Sequence, residues 1–301
     1  MEPVQAFDVI IIGGSNAGLS AAMALGRSLR QVLIIDSGEP CNRQTPHSHN
    51  FLTHDGSAPA EIAAIGLQQV LAYPTVQLLQ GLVTTAAKHD NGFIVTTAAG
   101  GQYTAGKLLL ATGMKDIMPD IPGFAACWGI SVLHCPYCHG YEVRNQPTGI
   151  LANGDMAFEF CKLIRHWTPQ LTLFTNGPST LGAEQTAQLT AWDIRITASP
   201  VTGIVHEKGY LQHLVQENGS TPALTALYAR PALQQREVVL QLGCGLNEHG
   251  FITVNDFQET TIPGVYAAGD NTTMFRAVSI AVAAGTKAGA IINKVLIDAA
   301  D

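Results

Sequence analysis

Apolar and polar positions change period along this chain in a regular order. Phe7-Asp8-Val9-Ile10-Ile11-Ile12 is a continuous apolar run of the buried-strand kind, Leu19 to Leu29 is an Ala/Leu-rich helix, and Gln31 to Ile35 is a second strand ending at Asp36. Ala60 to Leu71 has helical patterning. Residues 76–86, 92–97 and 102–105 alternate apolar with polar and predict short antiparallel strands, and Lys107 to Leu110 is again a buried strand. A second set follows, with strand at Thr148-Gly149-Ile150-Leu151, helix from Met156 to Trp167 and strand at Leu171 to Phe174. Residues 183–191 predict a helix, and 194–198, 201–206, 210–216 and 223–229 predict strands. The apolar stretch from Val278 to Ile297 carries Lys287 and Lys294 and many small residues, which predicts a buried helix rather than a membrane span. The fold class is α/β, since strand and helix alternate in both sets.

The two sets are related. The turn after the first strand is Gly13-Gly14-Ser15-Asn16-Ala17-Gly18, and Asp36 lies 18 residues beyond Gly18. Glycines allow a tight turn and close helix-to-strand packing, the amides at the helix start receive a pyrophosphate, and an acid at the end of the second strand binds a ribose hydroxyl. Ser15 replaces the middle glycine of the usual fingerprint, which is tolerable if its side chain turns away from the phosphates. Shifted by 139 residues without gaps, Gly13, Ser15, Gly18 and Asp36 fall on Ala152, Gly154, Ala157 and Thr175, with the same 18-residue interval. This is an internal repeat of a dinucleotide-binding unit. In the second copy the acid is gone, and no Lys or Arg occurs between Arg165 and Arg195. A nucleotide 2′-phosphate therefore finds no guanidinium at that strand end, and Thr175 is a poor substitute for the acid that NADH prefers.

Between the two sets lies Cys135-Pro136-Tyr137-Cys138-His139-Gly140-Tyr141-Glu142. A Cys-x-x-Cys is either a redox dithiol or half of a zinc site. The remaining cysteines are Cys41, Cys127, Cys161 and Cys244, and no second pair stands at metal-ligand spacing, which favours redox work. Cys161, inside an apolar helix, and Cys244 read as small buried residues. The loop from Cys41 to Asp55 holds His47, His49 and His54, but their spacing matches no metal pattern, and no metal is expected.

Composition narrows the function classes. The 301 residues are enough for two domains, or for one inserted into another. Charged residues are only 13% and hydrophobic ones 47%, against roughly 25% charged in ordinary soluble domains. Much surface is thus expected to be covered by a partner subunit or a large cofactor. The net charge of −7 and the lack of any basic run exclude nucleic acid as a partner. The residues before Val9 have no basic n-region and the following apolar run is short, so no signal peptide is expected and the chain reads as cytoplasmic.

Two further motifs point the same way as the N-terminal glycine turn. Ala111-Thr112-Gly113 ends the strand after Lys107, Gly269-Asp270 ends Gly264-Val265-Tyr266-Ala267-Ala268, and both accompany the N-terminal glycine turn. That trio, with the central Cys-x-x-Cys, resembles the low-molecular-weight thioredoxin reductases and their relatives over essentially the whole chain. The resemblance implies two Rossmann-like domains, with FAD on residues 1–115 and 244–301 and a pyridine-nucleotide-type domain, residues 116–243, inserted into the FAD domain. It implies FAD contacts at Gly13, Ser15, Asn16, Ala17, Gly18, Asp36, Ala111, Thr112, Gly113, Gly269 and Asp270, and at Ala277, which stands where the family carries Gln after Arg. It implies Cys138 as the thiol that exchanges electrons with the flavin and Cys135 as the interchange thiol. His139 replaces the family's acid and can take or give a proton, and Glu142 orients it or serves as a second acid.

The resemblance further implies a homodimer and a thioredoxin-like protein or small dithiol/disulfide as partner. Because the second unit lacks its basic cluster, efficient use of NAD(P)H is not expected, and a second nucleotide or flavin there is left open. The offshoots weighed are an oxygen-using dithiol oxidase and a reductase independent of pyridine nucleotides, beside a standard NADPH-dependent thioredoxin reductase. Outside the class stand a flavin-binding redox sensor and a zinc-stabilised binding protein.

Overall fold

The computed structural model describes residues 5–300. The chain forms two compact units, one made of residues up to Arg43, Phe51–Asp116 and the chain from Leu233 onward, the other of Gln44–Asn50 and Ile117–Ala232.

The first unit begins with β1 (Gln5–Ile12), α1 (Asn16–Arg27), β2 (Val32–Asp36), α2 (Pro59–Leu71), β3 (Val76–Gln80), β4 (Val83–His89), β5 (Gly92–Thr97), β6 (Gln102–Leu110) and the short β7 (Lys115–Ile117). Its sheet runs β3-β2-β1-β6-β5-β4. The β1 register, Val9 to Ile12 against Val32 to Ile35 and against Lys107 to Leu110, is parallel on both sides. Alternate residues of these strands enter two separate cores: Ile10, Ile12, Leu33, Ile35, Leu108 and Leu110 line one face, and Val9, Ile11, Val32, Ile34 and Leu109 the other. Burial on both faces is why these strands read as unbroken apolar runs. Residues 76–80 differ from the antiparallel expectation: β3 is a parallel edge strand on β2, separated from β4 by Gly81 and Leu82. A half-covered edge strand alternates with the same period of two whichever way it runs, so the pattern could not tell the two apart.

The second unit holds α3 (Phe124–Cys127), β8 (Val132–Leu133), α4 (Pro136–His139), β9 (Thr148–Leu151), α5 (Gly154–Ile164), β10 (Leu171–Phe174), α6 (Ala183–Ala191), β11 (Arg195–Thr197), β12 (Val201–Glu207), β13 (Tyr210–Gln216) and β14 (Ala226–Ala229). Five strands form a parallel sheet in the order β11-β10-β9-β14-β8, and β12 and β13 form an antiparallel hairpin. The segment Gln44–Asn50 is bound into this unit, with Gln44 Nε2 donating to the carbonyls of Ala125 and Trp128, 3.1 Å each.

The returning chain adds β15 (Ala232–Gln234), α7 (Glu237–Leu242), β16 (Val265–Ala267) and α8 (Val278–Asp298). β16 pairs parallel with Leu108–Leu110, taking the edge of β6 beyond the part that β5 covers. α8 is long and apolar enough to cross a membrane by length and composition. In this fold its Ala281, Ala288 and Ile292 pack into one core with Ala17, Ala21, Ala22 and Leu25 of α1.

Candidate active site

In the second unit the dithiol follows a two-residue strand. Cys135 is the N-cap of α4, with extended backbone (φ −121°, ψ 113°), and Pro136 at the first helical position supplies the preset φ that starts the turn. Cys138 donates to Cys135 with the sulfurs 2.6 Å apart. The Cys135 thiol is pulled down to about 7, first by that hydrogen bond, against the effect of burial, and further by the backbone amides of Cys138 and Tyr137 and the positive charge of Arg230. At pH 7 such a thiol is about half ionised, against roughly 3% for a thiol of pKa 8.5. Gly140 closes the motif: a Cβ there would stand 2.5 Å from the Pro136 carbonyl oxygen and 2.9 Å from the Trp167 ring. Trp167 in turn meets the exposed Tyr137 edge to face, with ring centroids 5.6 Å apart.

His139 is pushed down to about 4, first by burial, while Glu142 works the other way and His49 adds to the depression. The ring is therefore neutral throughout the physiological range. Glu142 Oε1 lies 3.5 Å from His49 Nε2. His49 belongs to the Gln44–Asn50 segment, so the structure joins a loop histidine to the quartet Cys135, Cys138, His139 and Glu142.

Two more residues escaped sequence reasoning. Arg230 and Tyr228 lie at the end of β14, where the sequence signals only a strand. Arg230 stands over the Phe160 ring, 4.3 Å from its centroid, and Phe160 meets Tyr228 edge to face at 5.8 Å. Tyr228 is 1% exposed, and its hydroxyl has no hydrogen-bond partner among the described residues. An orphaned buried hydroxyl costs about 1–3 kcal/mol.

At the nucleotide-type turn of this unit, side chains already bond the local amides. Asn153, the N-cap of α5, accepts from the amides of Gly154 and Thr180 at 2.9 Å each, and its Nδ2 donates to the Pro178 carbonyl at 2.9 Å. Asp155 in the first turn of α5 accepts from Gln185 Nε2 at 2.8 Å. Thr175 is buried and spends its hydroxyl on the Gly177 carbonyl, 2.6 Å away.

In the first unit the motif residues gather at the C-terminal ends of β1, β6 and β16. Gly13 has φ +110°, and a Cβ on it would lie 2.2 Å from the Ala111 carbonyl oxygen, which is why a glycine stands there. The Gly14 amide donates to Asp36 Oδ1 at 2.8 Å and the Gly38 amide to Oδ2 at 3.0 Å, fixing the carboxylate at the turn. Asn271 ties the two later motifs together, its Nδ2 donating to the Leu110 carbonyl at 2.8 Å and to Thr112 Oγ1 at 3.2 Å. Neither Ser15 at the start of α1 nor Ala277 at the start of α8 makes a side-chain cap, so both helices present uncapped amides. Asp270 is raised by burial even though Arg276 pulls it down, and it takes Arg276 Nε at 3.2 Å. Cys41, exposed as a residue, turns its sulfur to 3.8 Å from Asp270 Oδ2. Two uncapped helix starts, a fixed carboxylate and the buried Asn271 Oδ1, without a partner among the described residues, fit a dinucleotide with two anionic phosphates. Gly13, Ser15, Asn16, Ala17, Gly18 and Asp36 would hold one half of it, and residues 111–113, Gly269, Asp270 and Ala277 the other. Among the described residues no group of three or more His, Cys, Asp or Glu is placed to hold a metal ion.

A mixed-sheet unit with this cradle, plus a second carrying a dithiol at a strand end, defines a flavoprotein disulfide oxidoreductase. Comparison with known proteins agrees. Residues 7–285 match the family model described as pyridine nucleotide-disulphide oxidoreductase, and the chain belongs to this FAD-binding family. It is 34% identical over 304 residues to thioredoxin reductase tcpT of Claviceps purpurea, covering 96% of this chain and 94% of the relative. Among solved structures, TrxB of Bacillus anthracis superposes with a TM-score of 0.93 at 32% identity, over 98% of this chain and all of the other. An oxidoreductase of Agrobacterium tumefaciens gives 0.91 at 38% identity, over 98% and 99% of the two chains. The protein is a thioredoxin reductase-like oxidoreductase.

Proposed function

We propose that this protein exchanges electrons with a dithiol or disulfide partner through Cys135 and Cys138, on a thioredoxin-like protein or a small molecule, without efficient use of NADPH. The observation that carries the thiol chemistry is the Cys135 thiol near pKa 7 at the start of α4, the turn that ends at the neutral His139. With the pair as a disulfide, a partner thiolate attacks the Cys135 sulfur, the Cys135–Cys138 bond breaks, and Cys138 leaves as a thiolate. The partner's second thiol gives its proton to His139 and attacks the partner sulfur in the mixed disulfide. The partner leaves as a disulfide and Cys135 as a thiolate, so two electrons have moved to the pair. The opposite net direction uses the same steps reversed. FAD, when bound, supplies the two-electron store for the dithiol.

The reading of the donor rests on the second unit's crevice. Asn153 already occupies the amides of Gly154 and Thr180, Asp155 adds negative charge at the α5 start, and no cation follows β10. A nucleotide pyrophosphate would have to displace these bonds and meet that charge. NADPH-dependent reduction is the second reading, favoured by relatives named as thioredoxin reductases. A homodimer agrees with a cavity of about 590 Å³ on the first unit, lined by apolar residues such as Leu19, Met23, Ile62, Ile65 and Val282, which a second copy would cover. A reducing cytoplasm suits an enzyme that works through a reversible thiol pair.

Anaerobic titration of the flavin band tests the proposal. A small dithiol should bleach it within the mixing time, NADPH and NADH only slowly or not at all. Rapid bleaching by NADPH would sink the donor reading, and no bleaching by a dithiol would sink the thiol reading. If oxygen then restores the colour with steady turnover, the net direction is dithiol oxidation.

A further inference from the structure

We propose that the Tyr228 hydroxyl is a hydrogen-bond donor held in reserve for the thiolate of the Cys135–Cys138 pair, and that it is there for chemistry rather than for folding. The inference rests on the dithiol reading above. β14 and β8 are parallel neighbours, and Tyr228 stands in register with Leu133, two residues before Cys135. It is thus placed beneath the turn that carries the motif, at the C-terminal end of the sheet, where parallel folds keep their reactive groups.

Its surroundings define what it can bind. The hydroxyl is buried without an acceptor among the described residues. The ring is held edge to face on Phe160, itself covered by the Arg230 guanidinium. Burial first, and then the negative charge of the titratable groups acting on it, Cys135, Cys138 and Glu142, pushes the ionisation of Tyr228 far up. Tyr228 therefore stays protonated and can only donate toward them. The groups acting on Cys135 are Cys138, which bonds it, the backbone amides of Cys138 and Tyr137, and the positive charge of Arg230. A buried donor with no acceptor is unfavourable, so phenylalanine would serve a purely structural role better. The acceptor that would justify the hydroxyl is one that appears during turnover, and each exchange releases a thiolate at this turn.

The test compares wild type with Tyr228→Phe as the full-length flavin-loaded protein. The first readout is the pH dependence of iodoacetamide labelling at Cys135 in the reduced protein, resolved by mass spectrometry. The midpoint should rise by about one unit in the variant, so that labelling at pH 6 slows roughly tenfold. The second readout is thermal stability, which should be unchanged or higher. An unchanged midpoint overturns the inference. So does a marked loss of stability or failure to fold, because either would mean that the hydroxyl has a structural partner. Labelling needs no turnover. A wild type whose flavin is not bleached by dithiol, but whose midpoint still moves with Tyr228→Phe, would refute the proposed function and leave this inference standing.

Discussion

Arg276 grips Asp116 with both terminal nitrogens, Nη1 to Oδ1 at 2.7 Å and Nη2 to Oδ2 at 3.1 Å, while its Nε reaches Asp270. The side chains of Arg276 and Asp116 are 9% and 6% exposed. Burial opposes the charge on the guanidinium, but the Asp116 bond overcomes it and holds Arg276 protonated. Removing Asp116 takes away the bidentate partner and leaves Asp270 alone to pair the buried guanidinium. Asp116→Ala should therefore cost about 2–3 kcal/mol of stability, read from denaturant unfolding of the flavin-loaded protein. A loss under about 1 kcal/mol would show that the pair is solvated.

The thiols should separate cleanly by reactivity. Burial drives Cys161 up to about 12 and raises Cys127 and Cys244, whereas Cys135 is drawn down. In the reduced folded protein, iodoacetamide at pH 7 should label Cys135 at least tenfold faster than any of those three, with a midpoint near pH 7. For a thiol whose folded pKa is lowered, the stability contribution is present above the unfolded pKa and is lost as pH falls through the folded value. The reduced protein should thus lose this contribution between about pH 9 and 7.

His139 gives a second pH signature. Its folded pKa lies below the ordinary imidazole value of 6.5. The unfolded chain binds the proton more readily, so stability is full above pH 6.5 and falls as pH drops toward 4, by about 3 kcal/mol at most. His139→Gln should flatten that slope. The same variant should slow dithiol-driven bleaching about 100-fold at neutral pH, if the ring is the proton acceptor. Bleaching at the parent rate would remove it from that role.

Gly140 tests whether the dithiol turn is held by backbone packing. Gly140→Ala forces a methyl against the Pro136 carbonyl and the Trp167 ring. The α4 turn must shift, and labelling at Cys135 should lose its depressed midpoint, while flavin content stays at the parent level because Asp36 and its turn are untouched. Loss of flavin with an unchanged midpoint would contradict this account.

The sequence by itself determined the first unit's glycine turn with its acid and both repeated strand-helix-strand units. Continuous apolar runs mark strands buried on two faces, and glycines at fixed offsets from an acid mark a turn, since both are local properties of adjacent residues. The Cys-x-x-Cys and the missing cations after β10 are equally local and stand in the sequence as such. It could not orient residues 76–80, because alternation is blind to strand direction.

Only the tertiary structure decided what surrounds the dithiol. Tyr228 lies 93 residues after Cys135 and His49 lies 93 before Glu142, and neither falls in a motif. Their meeting is a matter of sheet order and of a segment, Gln44–Asn50, that is bound into a unit beginning far along the chain. The thiol and imidazole pKa values depend on burial and on those neighbours, quantities that exist only once the chain has closed around them.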